Sequence, residues 1–274
     1  MSEQGGALSA LLKRDGLIAA GALIALTALA WAYVLWLAAE MNTASASMPG
    51  MDMGAMMAPA FVPWTAMHAL FVFVMWAVMM IGMMTPSVAP MVLIYTQVAR
   101  QSRTLAGTLG KPFAPAGWFA SGYLLAWTLF AALATAAQYG LEQAALLSPS
   151  MASTSRYFGG GLLIVAGLYQ LSPLKNACLS QCRAPLSFVQ RHGGFQSTVF
   201  GSLRLGTQHG LYCIGCCWAL MALLFVGGVM NVLWIAAIMI FVLAEKIIPG
   251  GRYLSTLAGV AALAAGAWMI GVQH

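Results

Sequence analysis

Charge is what this sequence has least of. Only 7% of its 274 residues are charged, and six of them are acidic. A soluble domain carries about a quarter charged residues, and with so few a water-facing surface of this size is not covered. An ordinary soluble globule is thereby excluded. A phosphate-binding loop is also missing, because no G-x-x-x-x-G-K-[ST] string occurs, and with it goes the usual means of drawing energy from ATP. Twelve Lys and Arg give a formal net charge of +6, but they fall in short clusters between apolar runs. That pattern sets membrane topology and gives no footing to nucleic acid as a partner.

What fills the sequence is apolar. Hydrophobic residues reach 61% and the mean hydropathy is +0.85. Runs of about 20 apolar residues, the length that crosses a hydrocarbon core as a helix, recur along the chain. The fold class expected is all-α: a polytopic membrane helix bundle of about seven transmembrane helices, with the N-terminus inside and membrane lipid around it. The spans fall at 17–39, 65–84, 115–139, 157–173, 207–228, 231–248 and 253–272. This arrangement puts every basic residue except Arg156 on the inner side, as the positive-inside rule demands. A bacterial inner (cytoplasmic) membrane is the expected location. The first run follows Lys13 and Arg14 like a signal peptide, but its apolar stretch is too long for one and reads as a retained anchor. The small-x-small triplet Ala28-Leu29-Ala30 leaves cleavage open.

Three parts follow from this division: an anchor helix (1–40), a methionine-rich outer loop (41–63), and a six-helix metal-binding membrane core (64–274) that includes an inner cysteine-containing loop (174–206). Pro86 and Pro90 interrupt the apolar run 64–99. Either a kinked helix continues through 85–99 or that segment folds back. Within the inner loop, Ser172-Pro173 reads as an N-cap followed by proline at the first helical position, and Pro185 ends the short helix so started. His192, beside Gly193-Gly194, belongs to a turn.

Sulfur is concentrated in two places. Thirteen of nineteen methionines lie between Met41 and Met91. Met48, Met51, Met53, Met56 and Met57 sit with Asp52 among Ser, Gly, Ala and Pro, where packing gives no reason for them. Thioethers suit Cu(I), a soft ion. Farther on, His68, Met75, Met79 and Met83 fall within an arc of about 80° on a helix, with Met80 and Met84 beside them. Methionine also fills gaps between helices well, so packing alone is the competing account.

All five cysteines lie between positions 178 and 217. His209, Cys213, Cys216 and Cys217 share one helical face, spaced i, i+4, i+7 and i+8. Cys178 and Cys182 are a second i, i+4 pair, with Lys175 and Arg183 as neighbours that favour the ligating thiolate. Thiolates and imidazole suit Cu(I), and less specifically Zn²⁺. One helix cannot surround an ion, so another element must complete the shell. Gly206 and Gly210, at a G-x-x-x-G spacing, would let a second helix approach. On the reducing inner side, structural disulfides are not expected.

The segments MWAVMMIGMMTPSVAPMVLIY (75–95), YQLSPLKNACLSQCRAPL (169–186), HGLYCIGCCWALMALLFVGGVMNVLWIAAI (209–238) and EKIIP (245–249) resemble the family of predicted metal-binding integral membrane proteins. That family is related to the membrane copper chaperones associated with polyphenol oxidases (tyrosinases). The similarity covers roughly residues 65–270. It implies copper handling and a copper-dependent enzyme or periplasmic metallochaperone as partner. The motif positions are Met75, Met79, Met80, Met83, Met84, Pro86, Pro90, Cys178, Cys182, His209, Cys213, Cys216, Cys217, Glu245 and Lys246. Of these, the prolines shape the helix, and Glu245 with Lys246 are placed at an inner helix end.

The function expected is therefore a Cu(I)-binding membrane protein that handles, transports or delivers copper and is not an enzyme. Two other readings remain open at this point. A thiol oxidoreductase using Cys213-x-x-Cys216 would show a reversible disulfide. A non-catalytic anchor subunit would tolerate alanine at both cysteines.

Overall fold

The computed structural model describes residues 2–46, 64–104, 113–148 and 151–272. Among the described residues ten helices follow in chain order: α1 (Ser2–Ala46), α2 (Ala66–Thr104), α3 (Ala116–Gln143), α4 (Arg156–Leu171), α5 (Pro173–Arg183), α6 (Pro185–Arg191), α7 (Val199–Ala222), α8 (Leu224–Gly227), α9 (Val232–Ile247) and α10 (Gly251–Gly271). The protein is all-α, with no strand among the described residues. Met48, Met51, Asp52, Met53, Met56 and Met57 lie outside the described residues.

Among the described residues, five helical stretches are long and apolar enough to cross a membrane: 16–40, 66–102, 116–143, 199–227 and 251–271. A sixth results if α4 and α5 count together, bent by 64° where Ser172 and Pro173 meet. The count of seven expected from the sequence meets two helices of 16 residues, α4 and α9, which are short for a crossing.

Local chemistry starts and stops these helices as the sequence suggests. Ser172 caps α5, its side chain accepting from Lys175 N at 3.2 Å, with Pro173 in the first turn. Pro185 ends α5 and opens α6. His192 closes α6, ahead of Gly193 at φ +92° and Gly194 at φ +78°. The expected inner loop 174–206 is largely helical, since α5, α6 and the first turns of α7 occupy it. The choice over 85–99 is settled as well: α2 runs unbroken through Pro86 and Pro90. Around the prolines, hydroxyls bond to the helix carbonyls, Thr85 Oγ1 to Ile81 O at 2.6 Å and Ser87 Oγ to Met84 O at 2.8 Å.

Glycine seams join the helices. A Cβ on Gly206 would lie 2.0 Å from Phe119 O, and one on Gly122 would lie 2.0 Å from Leu203 O. Backbone therefore meets backbone between α3 and α7, as small residues permit inside membranes. The pairs 119 with 206 and 126 with 210 make these two helices parallel. A second seam joins α4 to α10, where Gly160 meets Gly266 and Gly167 meets Gly259, so that pair is antiparallel. At the far end of α2, Trp76 Nε1 donates to Gln138 Oε1 at 2.7 Å and Trp64 Nε1 to Glu142 Oε2 at 2.7 Å, which ties α2 to α3.

Candidate metal centre

The inward faces of α2 and α7 carry the sulfur. Met75, Met79, Met80, Met83 and Met84 are all buried, as is Met91 farther along α2. Cys213, Cys216 and Cys217 are each 1% exposed and His209 is 3% exposed, so the face that the spacing defines points into the bundle. No disulfide forms; all five cysteines are free.

Cys213 is the hub. Its Sγ lies 3.1 Å from Tyr123 Oη on α3 and accepts a hydrogen bond of 3.0 Å from Lys246 Nζ on α9. Lys246 Nζ also donates to Ser87 Oγ on α2 at 3.1 Å. Tyr123 Oη in turn donates to Met84 O at 3.1 Å. The methionine-bearing helix and the cysteine-bearing helix thus share one knot of polar groups, with Met84 at the point of contact.

The second cysteine pair joins from α5. The Cys182 side chain interacts with those of Cys213 and Cys216. Cys178 Sγ packs 2.9 Å from where a Cβ would stand on Gly215. That glycine makes room for a sulfur, a reason for its presence that spacing alone does not reveal. Tyr169 Oη donates to Gly215 O, and its ring packs edge-on against Trp218 with centroids 5.1 Å apart. The bend at Ser172-Pro173 is what turns α5 back against α7.

The thiols are gathered but not arranged in a closed shell. Cys216 and Cys217 both donate to Cys213 O at 3.0 Å, bonds available to thiols one turn along the same helix. Among the described residues, no three His, Cys, Asp or Glu side chains stand ready around a common point to hold a metal ion. To bind one, Cys216 or Cys217 must release the carbonyl.

His209 stands one turn before Cys213. Its ring is packed by Phe119, Tyr123 and Phe188, at centroid distances of 5.8, 6.0 and 4.9 Å, and its buried Nδ1 has no hydrogen-bond partner. A buried nitrogen without a partner is uncommon and calls for a reason. His68 is elsewhere. It is half-buried at the start of α2 against Trp64, centroids 5.0 Å apart, about 24 Å along the helix from Met84. The expected stripe therefore leads toward the thiols, but His68 is not among them.

Two features differ from the sequence reading. Lys175 and Arg183 do not serve the neighbouring thiols: Lys175 Nζ pairs with Glu245 Oε1 at 2.5 Å, and Arg183 donates to Ile248 O at 2.6 Å. The cation beside sulfur is Lys246, which had been placed at a helix end. It does lie in the last turn of α9, yet it reaches inward. Glu245 also accepts from Gln170 Nε2 at 3.1 Å and Ser255 Oγ at 2.6 Å, and Lys175 donates to Gln170 Oε1. Charged residues at the end of a highly apolar helix are the signal that marks both, because buried charge in such a setting demands a partner.

The family model described as PpoB2, copper chaperone, matches residues 73–269, well over half of the chain. That interval contains α3 to α9 and nearly all of α2 and α10. No curated protein and no solved structure matches the chain.

Proposed function

The chain belongs to the PpoB2 copper chaperone family, and from that premise we propose that it binds Cu(I) at the cysteine cluster and passes it to a copper-dependent enzyme or a periplasmic metallochaperone. The observation that carries this reading is the meeting of Cys182, from α5, with the buried Cys213 and Cys216, from α7, beside the buried methionine face of α2. These are soft donors, and soft donors favour Cu(I), with Zn²⁺ a weaker fit. Copper is the cargo. Binding needs no electron transfer: each participating thiol gives up its proton to water and forms one sulfur–copper bond.

The proposed site holds Cu(I) between two thiolates drawn from Cys182, Cys213 and Cys216, with Cys178, Cys217 and His209 in support. Met75, Met79, Met80, Met83 and Met84 supply weaker thioether sites along α2, with His68 at the far end. Weak, repeated sites suit movement of an ion, because a single tight site would trap it. The methionines of the loop 41–63 are proposed to exchange copper with the outer partner. The protein acts without catalysing a reaction.

We assign the chain seven crossings with the N-terminus inside a bacterial inner membrane, made up of an anchor (1–40), the outer loop (41–63) and the core (64–274). Helix directions support this. The parallel run of α3 and α7 calls for a return crossing between them, which α4 with α5 supplies. The contacts of Trp234 with Leu223 and of Lys246 with Cys213 set α9 antiparallel to α7, the direction a sixth crossing takes.

The test is a Cu(I) titration of the purified full chain with free thiols counted alongside. Wild type should bind Cu(I) as free thiols disappear, and Cys213→Ser/Cys216→Ser should lose most of that binding. Unchanged thiol reactivity on adding Cu(I) would overturn the proposal, and a reversible Cys213–Cys216 disulfide in the resting protein would favour the oxidoreductase.

A further inference from the structure

A two-coordinate thiolate complex has a charge that depends on the ion it holds. Two thiolates around Cu(I) or Ag(I) leave one net negative charge, whereas the same two around Hg(II) leave none. In water the difference is slight. In a bundle interior where Cys213, Cys216 and Cys217 are each 1% exposed, an uncompensated charge carries a desolvation cost of several kcal/mol. Such an interior holds a monovalent ion between thiolates only where a fixed positive charge stands beside the sulfur.

Lys246 stands there. Its Nζ is 3.0 Å from Cys213 Sγ, and its other hydrogen bond goes to the hydroxyl of Ser87 at 3.1 Å, so neither partner is a carboxylate. The carboxylate nearest in sequence, Glu245, is turned to the other side of α9. There Lys175, Gln170 and Ser255 engage its Oε1. Two adjacent residues thus separate two charge problems: Glu245 is neutralised by Lys175 in a closed cluster, and Lys246 keeps its charge for the thiols.

We infer that Lys246 makes the cysteine pocket selective for monovalent soft ions over divalent thiophilic ones, by supplying the single positive charge that a bis-thiolate complex of Cu(I) or Ag(I) lacks. The inference rests on the copper-binding reading above and adds to it a residue that sets specificity without touching the ion. Lys246 also makes the loaded site neutral, which lets copper sit in the bundle without a second ion. With Hg(II) the complex is already neutral, and the ammonium is left with no charge to offset.

The experiment measures affinities of the purified full chain for Cu(I), Ag(I) and Hg(II) by competition, in wild type, Lys246→Met and Lys246→Arg. Lys246→Met should weaken Cu(I) and Ag(I) by about two to four powers of ten, the scale of removing one partner from a buried charge pair, while Hg(II) affinity stays level or rises. Lys246→Arg should restore Cu(I) and Ag(I). Should Lys246→Met fail to accumulate, Lys246→Gln serves the same comparison, because it keeps a donor for Ser87 and Cys213 while removing the charge. Equal losses for all three ions would reduce Lys246 to a packing residue and overturn the inference. Unchanged Cu(I) affinity in Lys246→Met would overturn it too, with the copper reading intact. A wild type that takes Hg(II) but no Cu(I) or Ag(I) would sink both.

Discussion

The ammonium of Lys175 meets the carboxylate of Glu245 at 2.5 Å with both side chains withdrawn from the surface, at 0% and 2% exposure. This contact fastens α5, which brings Cys178 and Cys182, to α9, which brings Lys246. Removing one partner of such a pair strands the other charge. Glu245→Gln should cost about 3–5 kcal/mol, read as a lower thermal midpoint in detergent. Lys175→Met added to Glu245→Gln should recover part of the loss, since no charge is then left alone. An unchanged midpoint in the single variant would show that the pair does not hold the bundle.

The seam between α3 and α7 makes a sharper prediction. A Cβ at Gly206 would lie 2.0 Å from a backbone oxygen, whereas one at Gly117, exposed near the start of α3, meets nothing within 4 Å. Gly206→Ala should destabilise by about 1–3 kcal/mol or more, because backbone cannot step aside as a side chain does. Gly117→Ala should change stability by less than about 1 kcal/mol. Thermal unfolding of the two variants side by side decides it, and equal effects would contradict the packing described.

His209 presents a conflict between stability and binding. Its Nδ1 is buried without a partner inside a ring of Phe119, Tyr123 and Phe188. His209→Phe fits an aromatic setting and removes a polar group whose unmet hydrogen bond costs about 1–3 kcal/mol. The variant should unfold at a higher temperature and bind less Cu(I). Higher stability with unaltered Cu(I) uptake would remove His209 from the supporting ligands.

Much of this was legible in the sequence, because hydrophobic length and helical spacing are local properties. The face shared by His209, Cys213, Cys216 and Cys217 follows from periodicity, and all four are buried. Ser172-Pro173 names its own helix start, and Gly206 with Gly210 names its own seam. What was hidden depends on contacts between residues far apart in the chain. Nothing near Lys246 in sequence points to Cys213, which is 33 positions away. Lys175 lies three residues from Cys178, and sequence proximity assigned it to the wrong partner. Tyr123 and Ser87 gave no signal, since a lone hydroxyl in an apolar span has many ordinary uses. The two 16-residue helices illustrate the remaining limit: an apolar run shows that a segment is buried in protein or lipid, and only its neighbours show which.

The glycine contact between α3 and α7 has a mechanical consequence. Where main chain rests on main chain there is no side-chain layer to compress, so these two helices behave as a single stiff post bearing three of the five thiols. The other two are on an arm of eleven residues, bent at a proline and held by the Lys175–Glu245 pair, by the bond from Arg183 to Ile248 O and by packing against α7. If the helices must part for an incoming ion, the arm is the piece expected to give, and on the post only side chains such as Cys216 and Cys217 are left to turn.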